Sequence, residues 1–298
     1  WSLLVGGRLD KHNLVDHVIF SPRVNVRFNP SEAVNLRVSY AGGYRAPQAF
    51  DEDMHIAIVG GKRVRIRLAD DLREERSHSV SLSADLYHTF GKVQTNLLVE
   101  GFYTILDDVF ALRDMDDAAD GGKVKERYNG SGATVRGFNV EGRAAFTRWF
   151  ELQAGVTLQQ SRYKEPEFWS EDAEVPPVRR MFRTPDTYGY FTASFKPVRN
   201  FTADLSGTCT GSMLVQHMAG SGVAQDVAVS TPSFFDMNIR LSYDVRIYKE
   251  ITMQLYGGVQ NLFNAYQKDF DKGVDRDSGY IYGPSLPRSW FVGAKFSF

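Results

Sequence analysis

The residues with the strongest ligand chemistry fall into three groups. His55 and His217 carry imidazoles, and a neutral imidazole is a good ligand for haem iron. His217 also has Met213 and Met218 close by, which adds soft sulfur donors. Asp269, Asp271, Asp275 and Asp277 surround Gly273, and alternating carboxylates beside a glycine supply the oxygen ligands that Ca²⁺ prefers. Their spacing lacks the bidentate glutamate of an EF-hand. Aromatic side chains form the third group: Phe168 and Trp169, then Tyr266, Phe270, Tyr280 and Tyr282. Such rings contact bulky ligands at low entropic cost. Tyr44 and Arg45 are candidates for direct contact with a ligand. A second acidic run, from Asp107 to Asp120, reads as a solvated loop.

Enzymatic chemistry has no foothold. The sequence has no H-E-x-x-H, phosphate-binding loop, G-x-G-x-x-G or G-x-S-x-G. With one cysteine, Cys209, it has neither a disulfide framework nor a cysteine metal cluster. A net charge of −1 gives no reason to expect a nucleic-acid partner. The expectation is a binding protein that needs no cofactor, whose loops could hold calcium.

The elements that must position these residues are strands. From Phe235 to Ile247 every second residue is apolar or aromatic, and Asp236, Asn238, Arg240, Ser242, Asp244 and Arg246 lie between. A period of two puts one face in grease and the other in water. About twelve segments of this kind follow, most of them near the length a tilted strand needs to cross a bilayer. They run 1–9, 18–29, 33–45, 77–90, 92–113, 123–148, 150–163, 186–198, 200–213, 233–247, 250–263 and 286–298. No stretch is apolar enough for a transmembrane helix, and Trp1-Ser2-Leu3-Leu4-Val5 does not read as a signal peptide.

Connections alternate strictly between short and long. Tight turns fall at Asn29-Pro30-Ser31-Glu32, at Gly91, at Trp149, at Pro197 and at Lys249; long polar loops fall at 46–76, 114–122, 164–185, 214–232 and 264–285. Outer-membrane barrels sort their loops this way, short in the periplasm and long outside. Trp1, Phe28, Phe90, Trp149, Phe150, Phe201 and Tyr248 gather beside the short turns, as an interfacial aromatic girdle does. Inward positions carry Arg23, Arg27, Arg37, Arg45, Asp85, Glu100, Glu141, Arg143, Asp204, Arg240, Asp244 and Arg246, which pairing and hydration must offset. The fold expected is all-β, a transmembrane antiparallel barrel.

Three stretches carry a resemblance. Trp290, Val292, Ala294, Phe296 and Phe298 share one face of the last strand, which resembles the C-terminal signal that the barrel-assembly machinery reads. Tyr44-Arg45-Ala46-Pro47, followed by Asp70-Asp71-Leu72-Arg73-Glu74-Glu75-Arg76-Ser77, is similar to the (Y/F)RAP … N-P-x-L-x-x-E-x-S region of TonB-dependent outer-membrane receptors. Val259-Gln260-Asn261-Leu262-Phe263-Asn264-Ala265-Tyr266 is similar to their V-x-N-L-F-(N/D)-x-x-Y segment. The run from Phe50 to Ile56 resembles receptors of the Bacteroidota. The N-P-x-L box is only partly matched, reading Ala69-Asp70-Asp71-Leu72.

This resemblance implies a function. Barrels of that class have about 22 strands around a plugged lumen. About twelve strands without a plug or TonB box make residues 1–298 the C-terminal portion of the barrel domain. The implied activity is TonB-dependent import of a scarce nutrient across the bacterial outer membrane. A metal chelate leads: a ferric siderophore, haem or cobalamin. A SusC-like glycan or peptide importer with a surface lipoprotein, and a passive channel, remain as alternatives. The implied partners are outer-membrane lipid, TonB acting through the plug, and the assembly machinery. Haem receptors of the family use a histidine in the loop that here carries His55.

Overall fold

The computed structural model describes residues 1–48, 64–115, 123–170, 172–248, 250–284 and 286–297. Every regular element among the described residues is a strand. In chain order they are β1 (Ser2–Asp10), β2 (Ile19–Ser31), β3 (Val34–Arg45), β4 (Val64–Leu68), β5 (Glu75–Phe90), β6 (Val93–Asp107), β7 (Phe110–Met115), β8 (Lys123–Asn129) and β9 (Ala133–Thr147). They continue as β10 (Phe150–Glu167), β11 (Val178–Arg180), β12 (Thr187–Val198), β13 (Phe201–Thr210), β14 (Leu214–His217), β15 (Val227–Ser230), β16 (Phe234–Tyr248), β17 (Ile251–Gln260) and β18 (Ser289–Ser297).

Twelve of these make one antiparallel wall in the order β1-β2-β3-β5-β6-β9-β10-β12-β13-β16-β17-β18, and β11 attaches to β10 as a thirteenth. Each wall strand lies beside its predecessor in the wall. Register within it is long and regular: β5 and β6 pair without a break from Arg76↔Asp107 to Phe90↔Val93. The wall strands match the twelve alternating segments of the sequence.

Two expected long strands are instead broken. Segment 92–113 divides into β6 and β7 at Asp108, whose φ of 55° no extended strand tolerates. Segment 123–148 divides into β8 and β9 around Gly132, at φ 88°. A Cβ at Gly132 would stand 2.3 Å from the Leu106 carbonyl oxygen, so only glycine fits this corner. Beyond the two corners, β7 and β8 leave the wall. They form a separate sheet in which β8 pairs antiparallel with β7 and parallel with β4. Segments 46–76 and 214–232, expected as loops, hold β4 and the β14–β15 hairpin.

Period two becomes two chemically distinct faces. One row across the wall reads Leu36, Ala84, Val99, Val140, Val156, Gly189; another reads Ala193, Leu205, Ile239, Val259, Trp290. Most of this face is bare, Val259 being a covered exception: Leu82 is 60% exposed, Trp290 76% and Val292 90%. Hydrophobic surface on that scale is unstable in water and stable against lipid. The opposite face is polar and cross-linked. Asn139 donates to Glu100 (3.0 Å) and accepts from Thr157 (2.8 Å); Gln153 donates to Glu141 (2.9 Å); Ser194 donates to Asp204 (2.7 Å); Gln254 donates to Asp244 (2.9 Å). The Arg240 guanidinium lies 4.6 Å from the Tyr256 ring centroid. Of the charges expected to face inward, Glu100, Glu141, Asp204, Arg240 and Asp244 thus meet partners from neighbouring strands, whereas Arg27 and Arg37 stand opposite each other.

At the short-turn end Trp1 stacks on Phe28 (4.2 Å) and Trp149 meets Phe195 edge-on (5.3 Å). The cluster of fully covered apolar residues, Val215, Phe234, Tyr280 and Tyr282, sits among the long connections at the other end. A water-soluble sandwich would have its core between sheets; here it lies under the loops.

Candidate ligand-binding face

Two groups of side chains organise the long-loop end of the wall. The first is on β3, β5 and β7. Arg45 ends β3 directly opposite Glu75, which begins β5. The guanidinium donates from Nε (2.6 Å) and Nη2 (2.7 Å) to the two Glu75 oxygens, and its Cζ lies 4.9 Å from the Phe110 ring centroid. Phe110 N–H donates to the same carboxylate at 2.5 Å. A bidentate fork of this kind is strong and orienting. Arg45 therefore clamps the corner where β6 turns into β7. Tyr44, its neighbour, has the Arg8 guanidinium 5.7 Å from its ring centroid.

Beside this clamp, Glu74 is buried and held by His17 (3.0 Å) and Arg76 (2.7 Å). Burial pushes its carboxyl up, but hydrogen bonds from its own backbone, Arg76 and His17 outweigh that and hold it below the usual glutamate value. The sequence alone did not single out this trio, because His17 and Glu74 are 57 residues apart.

The second group knits together the connections around β11, β14–β15 and the segment from β17 to β18. His217 ends β14 and stacks flat on Tyr280, with ring centroids 3.7 Å apart. Its Nε2 lies 2.9 Å from Asp271 Oδ1, and both side chains are at least nine-tenths covered. Asp271 also accepts from Asp277 N–H (3.0 Å), and Asp277 accepts from Met218 N–H (2.8 Å) and Gly279 N–H (2.7 Å). Tyr280 donates to Asp269 (2.9 Å) and Tyr282 donates to both of its oxygens (2.6 and 2.7 Å). Buried Gln267 locks the backbone of both tyrosines.

The titrations follow from this geometry. Burial pushes Asp269 up, but the hydroxyls of Tyr282 and Tyr280 more than offset it, and the carboxyl stands below its ordinary value. Both phenols are pushed up, first by burial and then by donating to that carboxylate.

The candidates of the sequence therefore divide. His217, Tyr280, Tyr282, Asp269, Asp271 and Asp277 are spent on one another and on backbone. Asp275 is exposed, and its carbonyl accepts from Ser221 N–H (3.0 Å). The four aspartates do not converge: no group of three or more His, Cys, Asp or Glu is arranged to hold a metal ion among the described residues. Trp169 packs edge-on against Phe182 (5.4 Å) and donates to the Pro176 carbonyl (3.3 Å). Tyr266 is half-buried. Phe168 (75%) and Phe270 (43%) remain exposed on the loops. Trp290, Val292, Ala294 and Phe296 share one face of β18, opposite Val259, Gly257, Leu255 and Met253 on the apolar face of β17. His55 and Phe298 lie outside the described residues.

Arg183 also braces these loops, and no pattern in the sequence marks it. It adopts φ 55° and donates to the carbonyls of Ile281 (2.9 Å) and Gly279, fastening the loop before β12 to the loop before β18.

Comparison with known proteins places this architecture. Residues 1–262 match the family model described as TonB dependent receptor-like, beta-barrel. Among solved structures, the siderophore receptor PirA from Acinetobacter baumannii aligns with a TM-score of 0.65 at 17% identity, covering 99% of this chain and 43% of that one. A mutant of the ferric enterobactin receptor PfeA from Pseudomonas aeruginosa gives 0.65 at 16% identity, covering 98% and 42%. The ferric-catecholate import receptor Fiu from E. coli K12 gives 0.61 at 15% identity, covering 93% and 35%. A comparison with curated proteins found no relative. This chain spans less than half the length of each of these receptors. Receptors of this family are outer-membrane proteins that work with TonB, and they are not enzymes. The chain belongs to the TonB-dependent receptor-like β-barrel family.

Proposed function

We propose that this chain is the C-terminal wall of an outer-membrane importer for a metal chelate, with a ferric siderophore as the leading cargo. The carrying observation is the sorting of chemistry along and across the wall. Lipid-compatible residues cover one face, a hydrogen-bonded polar lining covers the other, and braced loops with outward aromatics stand at one end. Phe168 and Phe270 are the contacts this reading assigns to the cargo, since their rings are exposed while the surrounding tyrosines are engaged. The three named structures, all receptors for iron chelates by description, support that class of cargo. Coupling to TonB, assembly by the barrel machinery and residence in the outer membrane belong to the same proposal. So does a surface lipoprotein lid, should the cargo prove to be a glycan or peptide.

The test uses the complete receptor that carries this chain, purified from outer membranes of iron-limited cells. Its absorbance and metal content are recorded, and it is titrated with a ferric catecholate, haem and cobalamin. Saturable binding of the ferric catecholate, weakened by Phe168→Ala and Phe270→Ala without loss of thermal stability, is expected. A haem or corrin band would replace the siderophore with that cargo. Binding of none of the three, together with uptake of oligosaccharides or peptides, would overturn the chelate assignment.

A further inference from the structure

The lipid-facing side of the wall is not uniformly apolar. Across β3, β5, β6, β9 and β10 one register row reads Tyr40, Val80, Tyr103, Arg136, Gln160. The row beneath it reads Val38, Leu82, Gly101, Phe138, Leu158. A row in which all but Val80 carry polar tips thus caps a row of hydrocarbon. Gly101 has no side chain, and the Phe138 ring lies over it: a Cβ there would stand 3.3 Å from Phe138 Cε1, so a larger residue would push the ring into the space beside it. The result is a groove of about 640 Å³ lined by Val80, Leu82, Phe138 and Leu158, with Arg136 and Gln160 at its upper edge.

Arg136 is exposed and donates to Gln160 (2.8 Å). Arg162 is diagonal to it, one row higher, where it pairs with Thr134. Among the described residues neither guanidinium has a carboxylate partner. The nearby carboxylate of Asp107 is already paired with Lys164. Tyr40 and His78 complete the belt, with the phenol 2.9 Å from Nδ1.

An arginine on the lipid face costs several kcal/mol at mid-bilayer and little at the interface. Arg136 lies eleven residues up β9 from Thr147 at the short turn. At the rise and tilt of barrel strands that is about 28 Å of height, just above an apolar band of about 25 Å. The two arginines therefore stand at headgroup level on the long-loop side, directly over the groove. Clustered basic side chains at headgroup level attract anionic lipid headgroups.

We propose that this groove is a specific site for a phosphorylated, acylated glycolipid of the outer leaflet: its phosphate on Arg136 and Arg162, and one acyl chain along the groove beside Leu82, Phe138 and Leu158. The inference rests on the outer-membrane reading above. Receptors prepared in neutral detergent are titrated with lipid A, a bis-phosphorylated acylated disaccharide, and bound molecules are counted by native mass spectrometry. Inorganic phosphate and diacylglycerol serve as competitors.

The expected result is saturable lipid A binding that falls at least tenfold in Arg136→Ala/Arg162→Ala and in Gly101→Leu, and that survives in Arg136→Lys/Arg162→Lys. Unchanged binding in the alanine pair or in Gly101→Leu overturns the site. So does full competition by inorganic phosphate or by uncharged diacylglycerol. The same preparations are fractionated and titrated with the ferric catecholate. A receptor that resides in the outer membrane and binds chelate but shows unaltered lipid binding refutes this inference alone. A receptor absent from the outer membrane refutes the reading beneath it.

Discussion

Val99 and Leu98 are adjacent on β6 and face opposite ways, so one substitution at each tests the whole architecture. Val99 lies between Ala84 and Val140, and it belongs to the bare apolar face. It stands six residues from Val93, where β6 leaves the short turn. That is about 16 Å of height, near the middle of the apolar band. Leu98 lies between Asp85 and Glu141 on the polar face. Val99→Arg would place a guanidinium in hydrocarbon, at a cost of about 2–4 kcal/mol. That is roughly a 30- to 1000-fold shift in the folding equilibrium. Leu98→Arg would place the same group between two carboxylates facing water, at a cost near zero.

The assay is urea unfolding of the complete receptor in lipid vesicles, with outer-membrane abundance in cells as a second readout. Val99→Arg should shift the unfolding midpoint strongly and lower abundance, and Leu98→Arg should leave both close to wild type. The reverse order, with Leu98→Arg the damaging change, would mean that the apolar face is exposed to water in a different assembly. The membrane reading would then fail. A further strength of the pair is that propensity and side-chain size scarcely separate the two substitutions, so the contrast reports on facing alone.

Tyr282→Phe should release both of its hydrogen bonds to Asp269 and cost about 1 kcal/mol, seen as faster hydrogen exchange across 264–284. The same exchange should depend on pH at both extremes. Asp269 is held below its usual 3.8, so its contribution is whole above that value and fades as pH falls through the lower folded value. Tyr280 and Tyr282 are pushed above 10.0, so theirs is whole below that value and fades as pH rises past it. Protection should therefore be flat between the two. Gly132→Ala should cost about 1–3 kcal/mol, read as a lower thermal midpoint, because φ is 88° and the new methyl meets the Leu106 carbonyl. Glu75→Gln should leave Arg45 with a weaker partner and loosen the β6–β7 corner, read as proteolytic nicking near Asp108.

The wall was legible in the sequence because a two-sided strand must alternate at every position, so the signal repeats along its length. In β16 the apolar set from Phe235 to Ile247 and the polar set between them were enough to fix which side each residue takes. The corners were not legible. Asp108 turns a strand through a left-handed backbone while the alternation on either side of it continues almost unbroken, so periodicity reads β6 and β7 as one element. The loops fail for another reason. Residue types show that His217, Tyr280 and the aspartates could hold a metal or a ligand, but not that they are consumed by one another. That outcome depends on contacts such as His217 with Asp271, 54 positions apart, for which a single sequence carries no local mark. The same limit hid Arg136. Its outward facing follows from simple counting along β9, yet its significance appears only when Gly101 and Leu158 are brought beneath it by pairing with two other strands. Alternation thus determines the two faces of the wall one strand at a time, while binding chemistry, inside or outside the barrel, is a property of rows that cross strands.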